Sequence, residues 1–376
     1  MLPFKAVNII PYKIFPANLG GEKCVAFFNQ YVGKYMPIVS ISTQNNEVQY
    51  AKNFKMLNIL SNSRIRYINP LLYFKIRKLI KKENATHLFM EHPYFGWLAW
   101  LIKKTMPVTW VIHSHNIEFE RSRSIGRKWW ILLKWYETWV YKQADINFFI
   151  SDDDRTYAES QMNIDPKKCF TITYGVEMDQ MPNDLDAARK TIETMHQIGA
   201  DEKILLFNGA LYHHTNYDAL SIILENINPV LLQSRHPYKI LVCGKGLPDF
   251  FNDLKDYQNK NVIYAGFVKD IDLYFKAADI FLNPIISGGG IKTKAVEAIA
   301  HNCTVISTTL GAMGINRAVC NESLQVVDDL AWDDFAQKTL EYLDKTTTTP
   351  DAFYEYYDWD HIAQKVISIL KAKNEA

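Results

Sequence analysis

The chain has 376 residues, 48% hydrophobic and 22% charged, which excludes a disordered or low-complexity protein and gives enough length for two ordinary domains. Its five cysteines, Cys24, Cys169, Cys243, Cys303 and Cys320, are odd in number and scattered without the spacing of a disulfide framework or a structural zinc. The formal charge of +1 hides an asymmetry, because residues 1–180 carry 24 Lys/Arg against 15 Asp/Glu and the remainder 18 against 26, so that +9 and −8 sum to +1.

In chain order, short β-branched or aromatic runs alternate with helical segments, the pattern of parallel sheets covered by helices. Strands are expected at Ala6–Tyr12, Ile38–Thr43, His87–Glu91, Thr109–His113 and Ile146–Ile150, with helices near Glu22–Lys34, Phe74–Glu83, Tyr94–Lys104, Arg127–Lys142 and Asp153–Met162. A polar stretch, Val176 to Asp201, reads as a linker with a short helix. Strands resume at Lys203–Asn208, Tyr238–Cys243, Val262–Tyr264, Ile280–Pro284, Thr304–Thr308 and Leu324–Val327. Helices are expected near Tyr217–Leu224, Leu247–Tyr257, Ile271–Ala277, Thr293–His301, Trp332–Lys345 and His361–Lys373. No signal-type N-terminus or run of about 20 apolar residues appears, so a cytoplasmic protein is expected.

Two doubly wound sheets in series place ligands at the carboxyl ends of strands, and glycines mark those loops: Gly20-Gly21, Gly244-Lys245-Gly246 and Gly288-Gly289-Gly290. The most informative stretch runs from Ile280 to Ile306, IFLNPIISGGGIKTKAVEAIAHNCTVI. Three glycines let backbone N–H groups approach an anion, the opening turn of the next helix adds donors, and Lys292 and Lys294 add charge, which suits a diphosphate. Ile291 stands where a Walker A loop needs glycine, and Asp249 where a dinucleotide fingerprint needs its third glycine, so neither motif is met. Glu297 shares a helix face with Thr293 and Lys294; it can accept from two vicinal ribose hydroxyls or simply pair with Lys294.

Residues 121–142, RSRSIGRKWWILLKWYETWVYK, hold six basic residues against Glu137 alone, with four tryptophans. Such a helix could lie on an anionic bilayer. Alternatively Trp129, Leu132, Leu133, Tyr136 and Val140 form a buried stripe, leaving Trp130, Lys134 and Tyr141 on the other side. Nucleic acid is not expected, since no recognised binding module accompanies the basic residues.

Taken in order, Gly20-Gly21, HSHNIEFERSRSIG (His113 to Gly126), ADINFFIS, YGVE (Tyr174 to Glu177), FNGALYHHTNYDAL, LVCGKG, AGFV and GGGIKTKAVEAIA resemble the retaining GT-B glycosyltransferases of family 4, also called group 1. The resemblance covers nearly the whole chain. It implies two Rossmann-like α/β domains facing a cleft: an acceptor-side domain over 1–180, with the C-terminal helix 360–376 packing back on it, and a nucleotide-sugar domain over 181–359. It implies that Gly20, Gly21, Gly209, Gly244, Gly246, Gly266, Phe267, Val268, Gly288, Gly289, Gly290, Ile291, Lys292, Thr293, Lys294 and Glu297 line the donor. Within that set Glu297 would hold the ribose, Lys292 to Lys294 the phosphates, and Gly266 to Val268 the side of the base. His115 or its neighbour His113 would face the transferred sugar, and these histidines with Lys292 and Glu297 would lie nearest the chemistry.

The chain departs from the family pattern at two places. The first glutamate of the usual pair falls on Gly289, and the Arg and Lys that clamp the diphosphate fall on Ala210 and Asn216, leaving Lys292 and Lys294 to supply that charge. The implied activity is metal-independent sugar transfer with retention, from a UDP- or GDP-linked donor and with no cofactor, to a glycan or lipid-linked acceptor. An epimerase of the same fold and a non-catalytic nucleotide-sugar binding subunit are the alternatives.

Overall fold

The computed structural model describes residues 4–124 and 126–375. It divides into two compact units, one made of Met1–Glu177 with Tyr357–Ala376 and the other of Met178–Tyr356.

The first unit is built on a parallel sheet of seven strands among the described residues: β1 (Ala6–Ile9), β2 (Ile38–Thr43), β3 (Lys55–Leu60), β4 (His87–Glu91), β5 (Thr109–Ser114), β6 (Ile146–Phe149) and β7 (Cys169–Thr171), in the order β3-β2-β1-β4-β5-β6-β7. Ala6 pairs with Ile38 on one side and His87 on the other. β1, β2 and β4 are buried throughout, as expected of parallel strands covered on both faces. Connections run one way from β1 to β3 and the opposite way from β4 to β7, so the order reverses between β1 and β4. At such a reversal the loops at the carboxyl ends diverge and open a crevice. The helices that matter for it are α1 (Gly20–Tyr35), α2 (Leu71–Glu83), α3 (Gly96–Thr105), α4 (Glu118–Ser124) and α5 (Trp130–Gln143).

The chain returns to this unit at its end. Val176 N–H donates to Tyr357 O at 2.7 Å, Trp359 N–H donates to Val176 O at 3.0 Å, and the helix Trp359–Glu375 then lies along α1. Trp359 is fully buried against Tyr31 and Tyr174, and a Cβ at Gly175 would stand 2.7 Å from its ring, so only glycine fits there.

The second unit has a parallel sheet of six described strands: β8 (Lys203–Asn208), β9 (Tyr238–Cys243), β10 (Val262–Gly266), β11 (Ile280–Asn283), β12 (Thr304–Thr308) and β13 (Leu324–Val327), in the order β10-β9-β8-β11-β12-β13. Its reversal falls between β8 and β11.

Several expectations need correction. The short helix expected within Val176 to Asp201 spans twelve residues, Leu185–His196, and belongs to the second unit rather than to a linker. Arg189 on it donates to Asp279 Oδ2 at 2.6 Å and Glu193 Oε1 at 2.7 Å, tying the helix to the sheet. In place of the helix expected at Leu247–Tyr257, residues Asp249–Lys260 form 3-10 turns broken by left-handed Asn252, Asp253 and Leu254. The first unit holds β3 and β7 in addition to the strands expected. The apolar stripe expected on residues 129–140 is met in part: Val140 is buried and Leu133 and Tyr136 pack on the core, but Trp129 and Leu132 are exposed, and Tyr141, expected on the other side, is buried with Glu137.

Candidate functional site

In the second unit the loops that follow β8 and β11 meet at the reversal. Lys294, on the first turn of the helix Thr293–Ala300, sends its ammonium back across Gly209 to donate to Asn208 O at 2.9 Å and Asn216 Oδ1 at 3.1 Å. A Cβ at Gly209 would lie 2.8 Å from Nζ and 2.9 Å from Asn216 Cγ, so any side chain there would displace this contact. Asn216 in turn donates to Ala210 O at 2.9 Å. The ammonium therefore sits beside Ala210 and Asn216, the two positions to which the sequence resemblance assigns the clamp.

Lys292 folds over the triple glycine, donating to the carbonyls of Gly288, Gly290 and Gly289 at 3.1, 3.0 and 3.4 Å. Gly288 and Gly290 have left-handed backbones, with φ of 89° and 73°, conformations that favour glycine. Burial pushes the pKa of both lysines down to about 8; for Lys294, Glu297 partly opposes that shift. At pH 7 each remains a cation, and among the described residues its hydrogen bonds go to backbone carbonyls and, for Lys294, to the Asn216 side-chain amide oxygen as well.

The glycines after β9 and β10 complete this rim. Gly244 N–H donates to Gly266 O at 2.7 Å and Leu211 N–H to Lys245 O at 2.9 Å, so the loops bearing Gly209, Gly244, Gly246 and Gly266 are stitched together. Gly266 is left-handed with open space where a side chain would stand, Phe267 beside it is exposed, and Val268 and Ile291 are half-buried. Thr293 opens the helix one turn before Glu297, and both are half-buried.

In the first unit, Gly20 and Gly21 begin α1, and a Cβ at Gly21 would meet nothing within 4 Å. His113 and His115 lie at the end of β5, adjoining the β1/β4 reversal, in a buried polar cluster of which the sequence reading found only these two. Glu91, the last residue of β4, places Oε2 2.8 Å from His115 Nε2 and 3.0 Å from His113 Nδ1, while its Oε1 accepts from Asn8 Nδ2 at 2.9 Å. Burial alone would raise the Glu91 pKa; His113 and His115 outweigh it and hold the carboxyl well below the usual range. Burial lowers the His115 pKa, but Cys24 and Glu91 reverse that and leave it raised.

A second carboxylate–imidazole pair stacks on the first. His92 Nδ1 lies 3.1 Å from Glu118 Oε1, its Nε2 is 3.0 Å from the Tyr12 hydroxyl, and its ring lies 4.7 Å from that of His115. His92 has φ of 65°, a strained conformation for a non-glycine residue, of the kind that clusters at ligand sites. Burial lowers the His92 pKa. Against burial, His92 draws the Glu118 carboxyl down to about 2. Cys24, His113 and His115 bring their ligand atoms within 4.8 Å, a donor set zinc tolerates. Glu91 already engages both imidazoles at hydrogen-bond length.

Glu137 explains why α5 faces as it does. It is buried, and accepts from Glu118 N–H and Phe119 N–H, both at 2.9 Å, and from the Tyr141 hydroxyl at 2.8 Å, capping the start of α4. Burial pushes its pKa up to about 8 against the pull of those donors. With that polar face inward, Trp129, Ile131, Leu132 and Trp135 are left exposed, flanked by exposed Arg127 and Lys128. No described helix is long and apolar enough to cross a membrane.

Comparison with known proteins fits both halves. Residues 41–180 match the family model described as Glycosyltransferase Family 4, and residues 202–345 the model described as Glycosyl transferases group 1. An Escherichia coli UDP-Gal:alpha-D-GlcNAc-diphosphoundecaprenol alpha-1,3-galactosyltransferase is 25% identical over 226 residues, 56% of this chain and 55% of that protein. An uncharacterized glycosyltransferase of Methanocaldococcus jannaschii is 28% identical over 194 residues, 46% of each. The chain thus spans about half the length, or less, of the curated relatives it matches. Among solved structures, a glycosyltransferase from Rickettsia africae ESF-5 superposes with a TM-score of 0.74 at 17% identity, covering 99% of this chain and 98% of that one. Anabaena HepE in complex with UDP gives 0.69 at 13% identity, over 98% and 100%. Matched in both sheets by family models and along nearly its whole length by the fold, the chain belongs to the group 1, family 4 glycosyltransferases and has the GT-B fold.

Proposed function

We propose that the protein transfers a sugar, a hexose or close relative, from a UDP- or GDP-linked donor to a glycan or lipid-linked glycan acceptor, with retention of configuration and without metal. The observation that carries this reading is the Lys294 ammonium, held by two oxygen acceptors at the strand-order reversal of the second unit beside the vacated clamp positions. Anions bind where unpaired N–H donors and fixed positive charge converge, and the glycine loop, helix start and two lysines converge there. Glu297 would hold the ribose and Gly266 to Val268 the base, with exposed Phe267 offering a ring face. Gly20 and Gly21 would pass close to the donor phosphate and sugar.

In the reaction the bond from the anomeric carbon to the donor phosphate breaks, and its electron pair leaves on the nucleoside diphosphate. The acceptor hydroxyl bonds to that carbon from the same face, and its proton passes to the departing phosphate. Charge grows on that phosphate in the transition state, which is where preplaced cations and amides lower the barrier. Of the two histidines, His113 is fully enclosed and His115 is 6% exposed, so His115 is assigned to the sugar and His113 to its support. The exposed aromatic and basic face of α5 would rest on an anionic bilayer, bringing the enzyme to a lipid-linked acceptor.

The test is a panel of UDP- and GDP-sugars screened by thermal shift, followed by product analysis with lipid-linked glycan acceptors. One donor should raise Tm by mass action and yield a longer glycan of retained configuration. No stabilisation by any nucleotide sugar, or an isomerised donor formed without acceptor, would overturn the reading.

A further inference from the structure

We infer that Glu91 is a positioning residue that holds His115 with its proton on Nε2 and so presents Nδ1 as a hydrogen-bond acceptor for a sugar hydroxyl. The inference rests on the proposed transfer for its substrate, but the tautomer itself follows from the cluster. An ionised carboxylate can only accept, so the 2.8 Å contact between Glu91 Oε2 and His115 Nε2 requires the proton on Nε2. In the neutral ring, the form present above its raised pKa, Nδ1 is then the unprotonated nitrogen. It has no hydrogen-bond partner among the described residues although its ring is nine-tenths buried, and a buried acceptor left without a donor is costly unless a ligand supplies one.

The surroundings hold this arrangement fixed. Asn8 donates to the other Glu91 oxygen at 2.9 Å and is itself braced by Asn29 Oδ1 at 2.8 Å, so the carboxylate cannot rotate away. The His92 ring stacks on one side of His115 at 4.7 Å and the His113 ring lies 4.4 Å away, locking its plane. All of these groups belong to the first unit. A carboxylate behind an imidazole fixes its tautomer and orientation in this way wherever the ring must present one defined nitrogen.

Nitrogen-15 NMR of the histidine side chains, with His115 assigned by its loss in His115→Gln, reads the state directly and needs no substrate. The expected spectrum shows His115 as the Nε2–H tautomer; an Nδ1–H tautomer or a doubly protonated ring overturns the inference. Glu91→Gln should mix the tautomers and lower kcat about 10- to 100-fold, the usual cost of losing such a partner, with donor KM nearly unchanged. A variant with an unmixed Nε2–H signal and wild-type kcat would also overturn it. If Glu91→Gln fails to fold, the wild-type spectrum still decides. Absence of any transfer by the wild-type protein would count against the proposed function and leave the tautomer result standing.

Discussion

Lys292 and Lys294 are half-buried cations whose hydrogen bonds go to neutral oxygens, and that makes their charge available to a ligand. Their pKa values near 8 lie below the ordinary lysine value because burial penalises the ammonium. A bound diphosphate favours the charged form and raises both, so linkage requires affinity to be full below about pH 8 and to fall as pH rises through that value. Calorimetric titration of the donor from pH 7 to 9 should show this decline, and Lys294→Met should flatten it; a pH-independent affinity would remove the lysines from the phosphate site. Glu297 supplies a second residue-scale prediction. As a holder of two ribose hydroxyls, Glu297→Gln should weaken donor binding by roughly 1.5 to 3 kcal/mol through the loss of charge-assisted hydrogen bonds. The 2′-deoxyribose donor closes a double-mutant cycle, and strong non-additivity is expected if both changes report one contact. Full additivity would assign Glu297 to its helix rather than to the nucleotide.

At the scale of elements, α5 shows how a buried polar group can redirect a helix. Periodicity alone selects an apolar stripe, but Glu137 is drawn inward by the two N–H groups that open α4, and the side bearing Leu132 and Trp135 turns outward. Leu132 and Trp135 are each 73% exposed. Replacing both with serine should therefore change stability little, within about 0.5 kcal/mol per site, while abolishing sedimentation with vesicles of anionic lipid. The wild-type binding should weaken with salt over a Debye length of about 8 Å at physiological ionic strength. Equal binding by the double variant would show that this face does not touch lipid. Short runs rich in β-branched and large apolar residues, such as IVSIST and KILLFN, made β2 and β8 legible in the sequence, with the same bounds in the structure. β3 escaped because its half-buried edge sequence, KMLNIL, is interrupted by Asn58, and β7 because it is three residues long. The glycine–lysine loop was legible because one contiguous segment contains it. The Glu91 cluster was not, since Asn8, Tyr12, Glu91, His92 and Glu118 are brought together only by the order of β1, β4 and β5; an acidic residue ending a fully buried strand was its one local sign.

At the scale of the whole molecule, the closing helix belongs to the unit that the chain began with, and its contribution can be gauged. Trp359, Ile362, Val366, Ile367 and Leu370 are buried along it, and its first turn is tied to α1 by Lys34 to Asp360 at 3.0 Å and by the Tyr35 hydroxyl to the same carboxylate. At roughly 1.5 to 3 kcal/mol for each large apolar side chain removed from water, this helix accounts for on the order of 10 kcal/mol before the entropy of ordering it is subtracted. A domain's entire net stability is about 5 to 15 kcal/mol. Ending the chain at Asp358 should therefore unfold the first unit, exposing the ring pocket over Gly175 and the apolar side of α1. The second unit has its own core, assembled from β8 to β13 and their covering helices. Hydrogen exchange should accordingly show full loss of protection over β1 to β7 with protection kept over β8 to β12, and nucleotide affinity should fall only by the share the first unit supplies. A truncated chain that keeps protected β1, β4 and β5 would mean that the return helix is dispensable, and that the core beneath α2, α3 and α5 suffices to hold the histidine cluster in place.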